Sequence, residues 1–257
     1  MLNLSRQKRQ DNNENYQIMK YSIMVLFLSM ATMTATFGQS TADFFTKADA
    51  FFKTNVTDGR VNYSAVKANP GDLNELLEAA KNITVTEANA NEYQAFYING
   101  YNLLVIKGII DNYPLKSPLD VGGFFDGKKY EIGGKKTTLN DIENKLLRGK
   151  FPSEARFHFV LVCGGLGCPP IINKAYMPAT LDAQLEKQTK LALNDPQFIQ
   201  LNKSKVKISQ IFEWYKGDFT QNGQSLVDFI NKYKAEQLPE KTRVSYYPYD
   251  WTLNETK

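Results

Sequence analysis

Both cysteines and the only histidine of this chain lie within one stretch, His158-Phe-Val-Leu-Val-Cys163-Gly-Gly-Leu-Gly-Cys168-Pro-Pro170. Its apolar first part predicts a central, buried strand over residues 156–162. The glycines and prolines that follow are typical of a loop. Because binding and catalytic residues are often carried on loops held by a rigid scaffold, this stretch is the first candidate for a functional site. Any thiol or imidazole chemistry of the protein involves it.

The cysteines have three interpretations. In an exported protein the default is a Cys163–Cys168 disulfide that closes the glycine-rich loop, worth roughly 2 kcal/mol because the loop is short. The second is a catalytic thiol, Cys168 or, less favoured, Cys163, which needs one cysteine to stay reduced. The third is a metal site, disfavoured because a carboxylate would have to be the fourth ligand and the C-x4-C spacing is not a common zinc spacing. We therefore predict no metal and no cofactor.

A pairing of His158 with a cysteine is constrained by strand geometry. On a regular strand His158 and Cys163 face opposite sides and lie roughly 16 Å apart. A thiol–imidazole pair needs about 3 Å. His158 can therefore act on Cys163 only if the strand is broken, and on Cys168 only if the loop folds back over the strand.

The amino-terminal segment has the pattern of a secretory signal. A basic start at Met19-Lys20 precedes an apolar run over residues 23–33, and cleavage is predicted after Gly38. The residues before Met19 are an over-extended start or a long basic region. An uncleaved anchor is the alternative, but the apolar run is too short to span a bilayer stably. The predicted location is periplasmic or secreted.

Removal of residues 1–38 would leave 27 Lys+Arg and 25 Asp+Glu, an almost neutral balance. Such a balance gives no reason to expect nucleic acid as a partner. The remaining residues, 39–257, are enough for a single domain with a sizeable core. No stable membrane span is expected after cleavage.

Periodicity along residues 39–257 predicts an α+β fold, a single compact domain with helices packed on a small mixed or antiparallel sheet. The main predicted helices are 41–53, 72–81, 86–111, 138–148, 181–193, 209–215 and 226–233. The predicted strands are 60–63, 130–132, 135–138, 156–162, 198–201, 206–208 and 244–247.

Three polar residues interrupt apolar helix faces. Asn99 and Asn102 fall on neighbouring apolar stripes of the long helix, so both amides are expected to be buried and paired. The preferred interpretation is that they tie loop backbone to the helix; the alternative is that they orient a catalytic group or bind ligand. Glu143 borders the apolar face of its helix and needs a partner, for which Arg148, Arg156 and His158 are candidates. It also suits a general acid or base.

An aromatic-flanked carboxylate, Tyr249-Asp250-Trp251, lies near the end of the chain. We interpret it as a clasp in which the two rings bury surface while Asp250 caps or pairs. The alternative is that it lines a sugar or peptide pocket.

Taken together, these segments resemble the family catalogued as domain of unknown function 547. The resemblance rests on the motifs that run from Gln94 to Asn102, from Thr138 to Arg148, from His158 to Pro170, from Ser209 to Phe219 and from Tyr249 to Asn254. They occur in the family's order and span nearly all of residues 39–257. One departure is Asn144, where the family often has a histidine. The resemblance implies a single compact domain, found alone in secreted bacterial proteins, and no settled reaction.

The sequence favours a binding or structural module of the cell envelope, with the Cys163–Cys168 loop closed by a disulfide. The alternative is a cysteine-dependent hydrolase or acyl transferase acting on a peptide or envelope substrate. In that case Cys168, or less favoured Cys163, is the nucleophile, His158 the base, and Asn99 or Glu143 orients it. The sequence does not decide whether the protein is an enzyme. The expected partner is a small molecule, a peptide or an envelope component.

Overall fold

Helix α4 (Ala90–Asn112) lies at the centre of the fold and is buried continuously from Tyr93 to Ile106. In the computed structural model, which describes residues 41–202 and 205–257, the helices Tyr63–Ala68, Gly71–Asn82 and Leu181–Asn194 pack against it. A helix that is apolar on all sides is either a core helix or a membrane span. Among the described residues no helix has the length and hydropathy needed to cross a bilayer. The predicted signal segment lies outside the described residues.

The first half of the chain shares one hydrophobic core with α4. Its elements are α1 (41–55), β1 (Val56–Thr57), β2 (Arg60–Val61), α2 (Tyr63–Ala68), α3 (Gly71–Asn82) and the hairpin β3 (Tyr130–Ile132) and β4 (Lys135–Thr137). The hairpin turn closes the end of α3, since the N–H groups of Gly133 and Gly134 donate to the carbonyls of Ala80 and Lys81 at 2.9 and 2.8 Å. The hairpin packs tightly, and a Cβ on Gly100 would lie 2.3 Å from Ile132 Cδ1. Glycine in α4 therefore allows this close contact.

The second half of the chain contributes to the core around α4 and also builds a second one. Its elements are α5 (Leu139–Asp141), which continues as a π-helix over Ile142–Arg148, α6 (Leu181–Asn194), β5 (Ile199–Asn202), β6 (Lys205–Ser209), α7 (Ile211–Trp214), α8 (Lys216–Phe219), α9 (Leu226–Tyr233) and β7 (Arg243–Tyr247). Strands β5 and β6 are antiparallel, whereas β6 and β7 are parallel. A cluster of phenylalanines fills the space between this mixed sheet and the helices.

The α+β prediction is confirmed: helices dominate, and the sheets are small and antiparallel or mixed. The hairpin, α4, α6, α9 and the β5–β7 strands lie close to their predicted positions. The short strand predicted over residues 60–63 ends at Val61, because α2 begins at Tyr63 with the Asn62 side chain as its cap.

The predicted central strand over residues 156–162 is wrong. Residues Ala155–Phe159 form a 3-10 helix, which the Glu154 side chain caps by accepting from the N–H of Arg156 at 3.2 Å. The run is apolar because it is buried between the two cores, and apolarity alone does not distinguish a buried strand from a buried helical turn. The next residues pair with a side chain instead of a strand: Asn102 donates to the carbonyl of Val160 at 3.0 Å and accepts from the N–H of Val162 at 2.9 Å.

The backbone-tying interpretation of the two buried amides is confirmed. Like Asn102, Asn99 binds two backbone groups of an irregular segment. Its amide donates to the Tyr176 carbonyl at 2.8 Å and accepts from the Tyr176 N–H at 2.9 Å. Helix α4 thus holds two irregular segments in place through one amide each.

We expect Asn102→Ala to lower the free energy of unfolding by roughly 2–4 kcal/mol, because it leaves two buried backbone groups without partners. Denaturant unfolding measures this loss. The control is Asn112→Ala at the exposed end of the same helix, where only one bond, to the Gly108 carbonyl, is lost and a change within about 0.5 kcal/mol is expected. Equal losses for both variants would contradict the role given to Asn102.

Candidate thiol site

The Cys163–Cys168 loop is held against the carboxy-terminal segment of the chain. The N–H groups of Leu166 and Gly167 donate to the carbonyls of Thr252 and Asp250 at 2.8 and 2.7 Å. The loop glycines allow this fit: Gly164 has a φ of +86°, and a Cβ on Gly167 would lie 2.8 Å from the ring of Tyr249. The loop therefore has one well-defined path, which brings its two ends together.

Three atoms meet at the ends of the loop. The sulfurs of Cys163 and Cys168 lie 2.8 Å apart, and the Tyr249 hydroxyl lies 2.9 Å from the first and 2.8 Å from the second. The backbone N–H of Cys163 also donates to the Cys168 sulfur at 3.0 Å. A covalent S–S bond is about 2.05 Å long, so the structure shows two free cysteines and the predicted disulfide is not formed in it.

The surroundings of the two sulfurs are unequal. Burial raises the pKa of the Cys163 thiol, and its hydrogen bond to Cys168 raises it further. Burial acts in the same direction on Cys168, but hydrogen bonds from the Cys163 thiol, the Tyr249 hydroxyl and the Cys163 N–H outweigh it and lower the pKa of Cys168. Burial keeps the Tyr249 hydroxyl protonated by raising its pKa. Cys168 is therefore the more acidic of the two thiols.

Both tryptophans of the chain surround Tyr249. Its ring centroid lies 5.2 Å from that of Trp214 and 4.7 Å from that of Trp251. The Asp250 carboxylate accepts from the N–H of Thr252 at 2.9 Å. The clasp interpretation of Tyr249-Asp250-Trp251 is therefore confirmed, and the clasp has a further part, since its tyrosine contacts both sulfurs.

Cys168 also lines a cavity of about 310 Å³. Arg60 and Asp250 lie on its wall together with the backbone of the glycine loop. Both cysteines are partly exposed, so a ligand in this cavity would meet the Cys168 side of the pair. Sites of roughly 300–1,000 Å³ are of the size that holds small ligands.

His158 belongs to a second polar cluster. Its Nε2 lies 2.8 Å from Asp218 Oδ2, and the Arg148 guanidinium binds the same carboxylate through two bonds of 2.6 and 3.0 Å. The His158 ring stacks on Tyr215 with centroids 4.1 Å apart. Among the hydrogen bonds of the described residues, none joins His158 to either sulfur. The structure thus gives His158 a carboxylate partner instead of a thiol.

Glu143 interacts electrostatically with Arg148, one of the three partners suggested for it, but its hydrogen bonds go to tyrosines. Its carboxylate accepts from the Tyr101 hydroxyl at 3.5 Å and also contacts the Tyr215 side chain. Electrostatic effects of Cys163 reach both tyrosines and contribute to their raised pKa values, after the larger effect of burial. Glu143 and Cys163 therefore both act on the same two tyrosines.

The three predicted partners of Glu143 make their ion pairs with other carboxylates. Arg148 lies one π-helical turn after Glu143 and binds Asp218, while Asn144 accepts from the Arg148 guanidinium. Arg156 pairs with Glu154 at 2.6 Å and with Asp182 at 2.9 Å. Asn144, the departure from the family pattern, therefore supports Arg148.

The sequence places Cys163, Cys168 and His158 in one segment, but it did not predict the role of Asp218 or the contact of Tyr249 with the sulfurs. Asp218 has a signal in the sequence, since it belongs to the motif that runs from Ser209 to Phe219. Asn99, a candidate for orienting a catalytic group, holds Tyr176 instead. Among the described residues no three His, Cys, Asp or Glu side chains come together as a metal site would require.

Fold and site together define an α+β protein with a partly exposed dithiol held under a carboxy-terminal tyrosine. The family model "Protein of unknown function, DUF547" matches residues 85–191, which confirms the resemblance over the first three of the five motifs. The matched segment carries Glu143, His158 and both cysteines, whereas Asp218 and Tyr249 lie beyond it. No curated protein and no solved structure matches the chain.

The Asp218 cluster predicts a dependence of stability on pH. Burial alone would raise the pKa of Asp218, but the hydrogen bonds and charges of His158 and Arg148 hold it well below its usual range. Because its pKa is lowered in the folded state, the ionised Asp218 carboxylate stabilises the fold fully at pH values above about 3.9, the pKa of an ordinary Asp. This stabilisation is lost as the pH falls towards the folded-state pKa. We therefore expect Asp218→Asn to lose less stability than the wild type between about pH 5 and pH 2. Urea unfolding across this range measures it, and Glu236→Gln, an exposed carboxylate, should leave the acid slope unchanged.

The Tyr249 hydroxyl predicts the reactivity of Cys168. Tyr249→Phe removes a hydrogen bond to the thiolate, so the pKa of Cys168 should rise by about one unit, the equivalent of one hydrogen bond to a charged group. The pH midpoint of single alkylation by iodoacetamide, followed by intact mass, measures this shift. Tyr247→Phe is the matched control, because the Tyr247 hydroxyl donates to the Phe198 carbonyl and contacts neither sulfur. An unshifted midpoint for Tyr249→Phe would show that its hydroxyl does not support the thiolate.

Proposed function

We propose that this is a thiol–disulfide exchange protein of the cell envelope, in which Cys168 attacks and Cys163 resolves. The observation that carries the proposal is the three-atom contact of Cys163, Cys168 and Tyr249, with Cys168 on the wall of a cavity. Exchange needs a thiolate that is accessible to a disulfide and a second thiol close enough to displace the product. An exported protein meets disulfides as substrates, because they persist in oxidising compartments.

The reaction balances in two steps. The Cys168 thiolate attacks one sulfur of a substrate disulfide, forming a mixed disulfide and releasing the other substrate half as a thiolate, which takes a proton from water. Cys163 then gives its proton to water and attacks the Cys168 sulfur, forming the Cys163–Cys168 disulfide and releasing the second half. The substrate gains two electrons and the protein loses them. A dithiol reductant of the envelope would return the pair to its starting state.

This cycle includes the loop disulfide predicted from the sequence as its oxidised state. A permanent disulfide would only stabilise the loop, as expected of a binding or structural module. A reversible disulfide makes the same loop the redox-active part of the protein. The lowered pKa of Cys168 supports the reversible form, because a low-pKa thiol is also a good leaving group when the loop disulfide is reduced again.

The order of the two cysteines can be tested with 5,5′-dithiobis(2-nitrobenzoate), a small aromatic disulfide. The reduced wild-type protein should release two thionitrobenzoate groups per chain and end as an intramolecular disulfide. Cys163→Ser should release one group and keep the other as a mixed disulfide, because nothing resolves it. Cys168→Ser should react roughly tenfold more slowly or worse, since the remaining thiol has a raised pKa. Stopped-flow absorbance gives the rates and intact mass gives the products.

Two results would overturn the proposal. The first is wild-type protein that, purified from the cell envelope without a reductant, resists reduction by dithiothreitol under native conditions, since a locked disulfide makes the loop a structural staple. The second is wild-type protein that ends with two thionitrobenzoate adducts instead of an intramolecular disulfide, since Cys163 then does not resolve the mixed disulfide of Cys168.

A cysteine-dependent hydrolase or acyl transferase is the second candidate function, favoured by the position of Cys168 on the cavity wall. It would use Cys168 as nucleophile and would not need Cys163. An activated thioester substrate distinguishes the two: acyl transfer predicts turnover that survives Cys163→Ser, whereas exchange predicts no turnover of thioester by either protein.

A further inference from the structure

The outer face of the mixed sheet formed by β5, β6 and β7 carries three cations close together. Lys205 and Lys207 lie on β6 and Arg243 lies on β7, and all three are exposed. The parallel register of these strands places Lys205 directly beside Arg243. Neighbouring strands lie about 5 Å apart, and alternate residues of one strand lie about 7 Å apart. The three side chains therefore leave one side of the sheet as a group, which we call the basic face.

No carboxylate balances the basic face. The described residues of the three strands include no Asp or Glu, and no ion pair of the described residues involves Lys205, Lys207 or Arg243. The other outward positions in register with them are uncharged: Gln200, Asn202 and Ser245. The basic face is therefore a local excess of positive charge on a chain whose charges elsewhere nearly cancel.

The pairing of charges across the strands differs from that in the hairpin β3–β4. In that hairpin Glu131 stands directly opposite Lys136. Opposite charges across two strands stabilise a sheet, whereas like charges directly opposite each other destabilise it. The pair of Lys205 and Arg243 therefore costs folding stability. Such a cost is typical of a surface that serves binding, because function and stability often make opposite demands on a residue.

We propose that the basic face binds an anionic membrane surface through the phosphate groups of its lipids. Anionic lipids give a membrane a negative surface potential, and each Lys or Arg near that surface strengthens binding about fivefold. A membrane is an extended array of negative charges, so three cations on one side of a sheet can contact it at once. A small anion needs donors that converge, whereas side chains on a sheet stand roughly perpendicular to it.

The cell-envelope location proposed above puts such membrane surfaces within reach of the protein. The membrane proposal does not depend on thiol–disulfide exchange, because neither cysteine belongs to the basic face. The two can therefore fail separately.

The test is co-sedimentation of the protein, purified from the cell envelope, with vesicles of phosphatidylcholine alone or of phosphatidylcholine mixed with phosphatidylglycerol. We expect the wild type to bind the anionic vesicles more strongly, and this difference to disappear at high salt because of screening. The double variant Lys205→Gln/Lys207→Gln should bind the anionic vesicles about 25-fold more weakly, fivefold for each charge removed. All variants share one amino terminus, so any binding by that segment is common to them.

The matched control is Lys135→Gln/Lys136→Gln on β4, which removes the same number of charges from the other hairpin. It should bind within about twofold of the wild type, because exposed charges more than a Debye length away are largely screened. Equal weakening by the two double variants would show that only net charge matters and would overturn the basic face as a site. Equal binding of the wild type to neutral and anionic vesicles would overturn it as well. Full displacement from the vesicles by heparin at an equal concentration of negative charge would overturn the membrane as partner in favour of a soluble polyanion.

The single variant Lys205→Gln gives a readout that needs no lipid. It removes the like-charge pair with Arg243, so we expect its Tm to rise by about 1–3 °C while its binding to anionic vesicles weakens about fivefold. Thermal unfolding at low salt measures the first effect. A Tm that falls would show that Lys205 serves folding and would contradict the assignment of the basic face to binding.

Discussion

The thiol site depends first on a buried amide of the central helix. Asn102 replaces a neighbouring strand as the hydrogen-bond partner of Val160 and Val162, at 3.0 and 2.9 Å. A buried backbone group without a partner costs about 1–3 kcal/mol, so this stretch can leave regular structure only because one side chain satisfies both of its groups. Cys163 follows directly, and its position is therefore fixed by helix α4 and not by a sheet.

The second constraint comes from the other end of the chain. Residues 250–254 run alongside the glycine loop and accept from its N–H groups, while Tyr249 places its hydroxyl against both sulfurs. Cys168 packs against both hydrophobic cores, so the sulfurs lie where the two halves of the fold meet. The difference between the two thiols follows from this position. Hydrogen bonds from the Cys163 thiol, the Tyr249 hydroxyl and the Cys163 N–H lower the pKa of Cys168 against the effect of burial, whereas burial and the hydrogen bond that it donates to Cys168 raise the pKa of Cys163.

The sequence predicts the structure correctly where a pattern is compatible with only one conformation or one kind of contact. The glycine pair at 133–134 requires positive φ and predicts the hairpin, and the amides within an apolar helix predict Asn99 and Asn102 as backbone ties. It was insufficient over residues 156–162, because an apolar run records burial and not conformation. The approach of Tyr249 to the cysteines was equally hidden, since it joins residues more than eighty positions apart and is set by the packing of the whole chain.

The position of His158 bears on which reaction the two cysteines can carry out. Acyl transfer by a cysteine needs a group that protonates a poor leaving group, which in cysteine enzymes is commonly a histidine beside the thiol. Here Asp218 binds His158 and Arg148 together, so moving the imidazole towards the sulfurs would leave a carboxylate and break a stacking contact with Tyr215. Thiol–disulfide exchange has no such need, because its leaving group departs as a stable thiolate. A dithiol with one lowered and one raised pKa, and with no imidazole contact among the described residues, is therefore better matched to exchange than to hydrolysis.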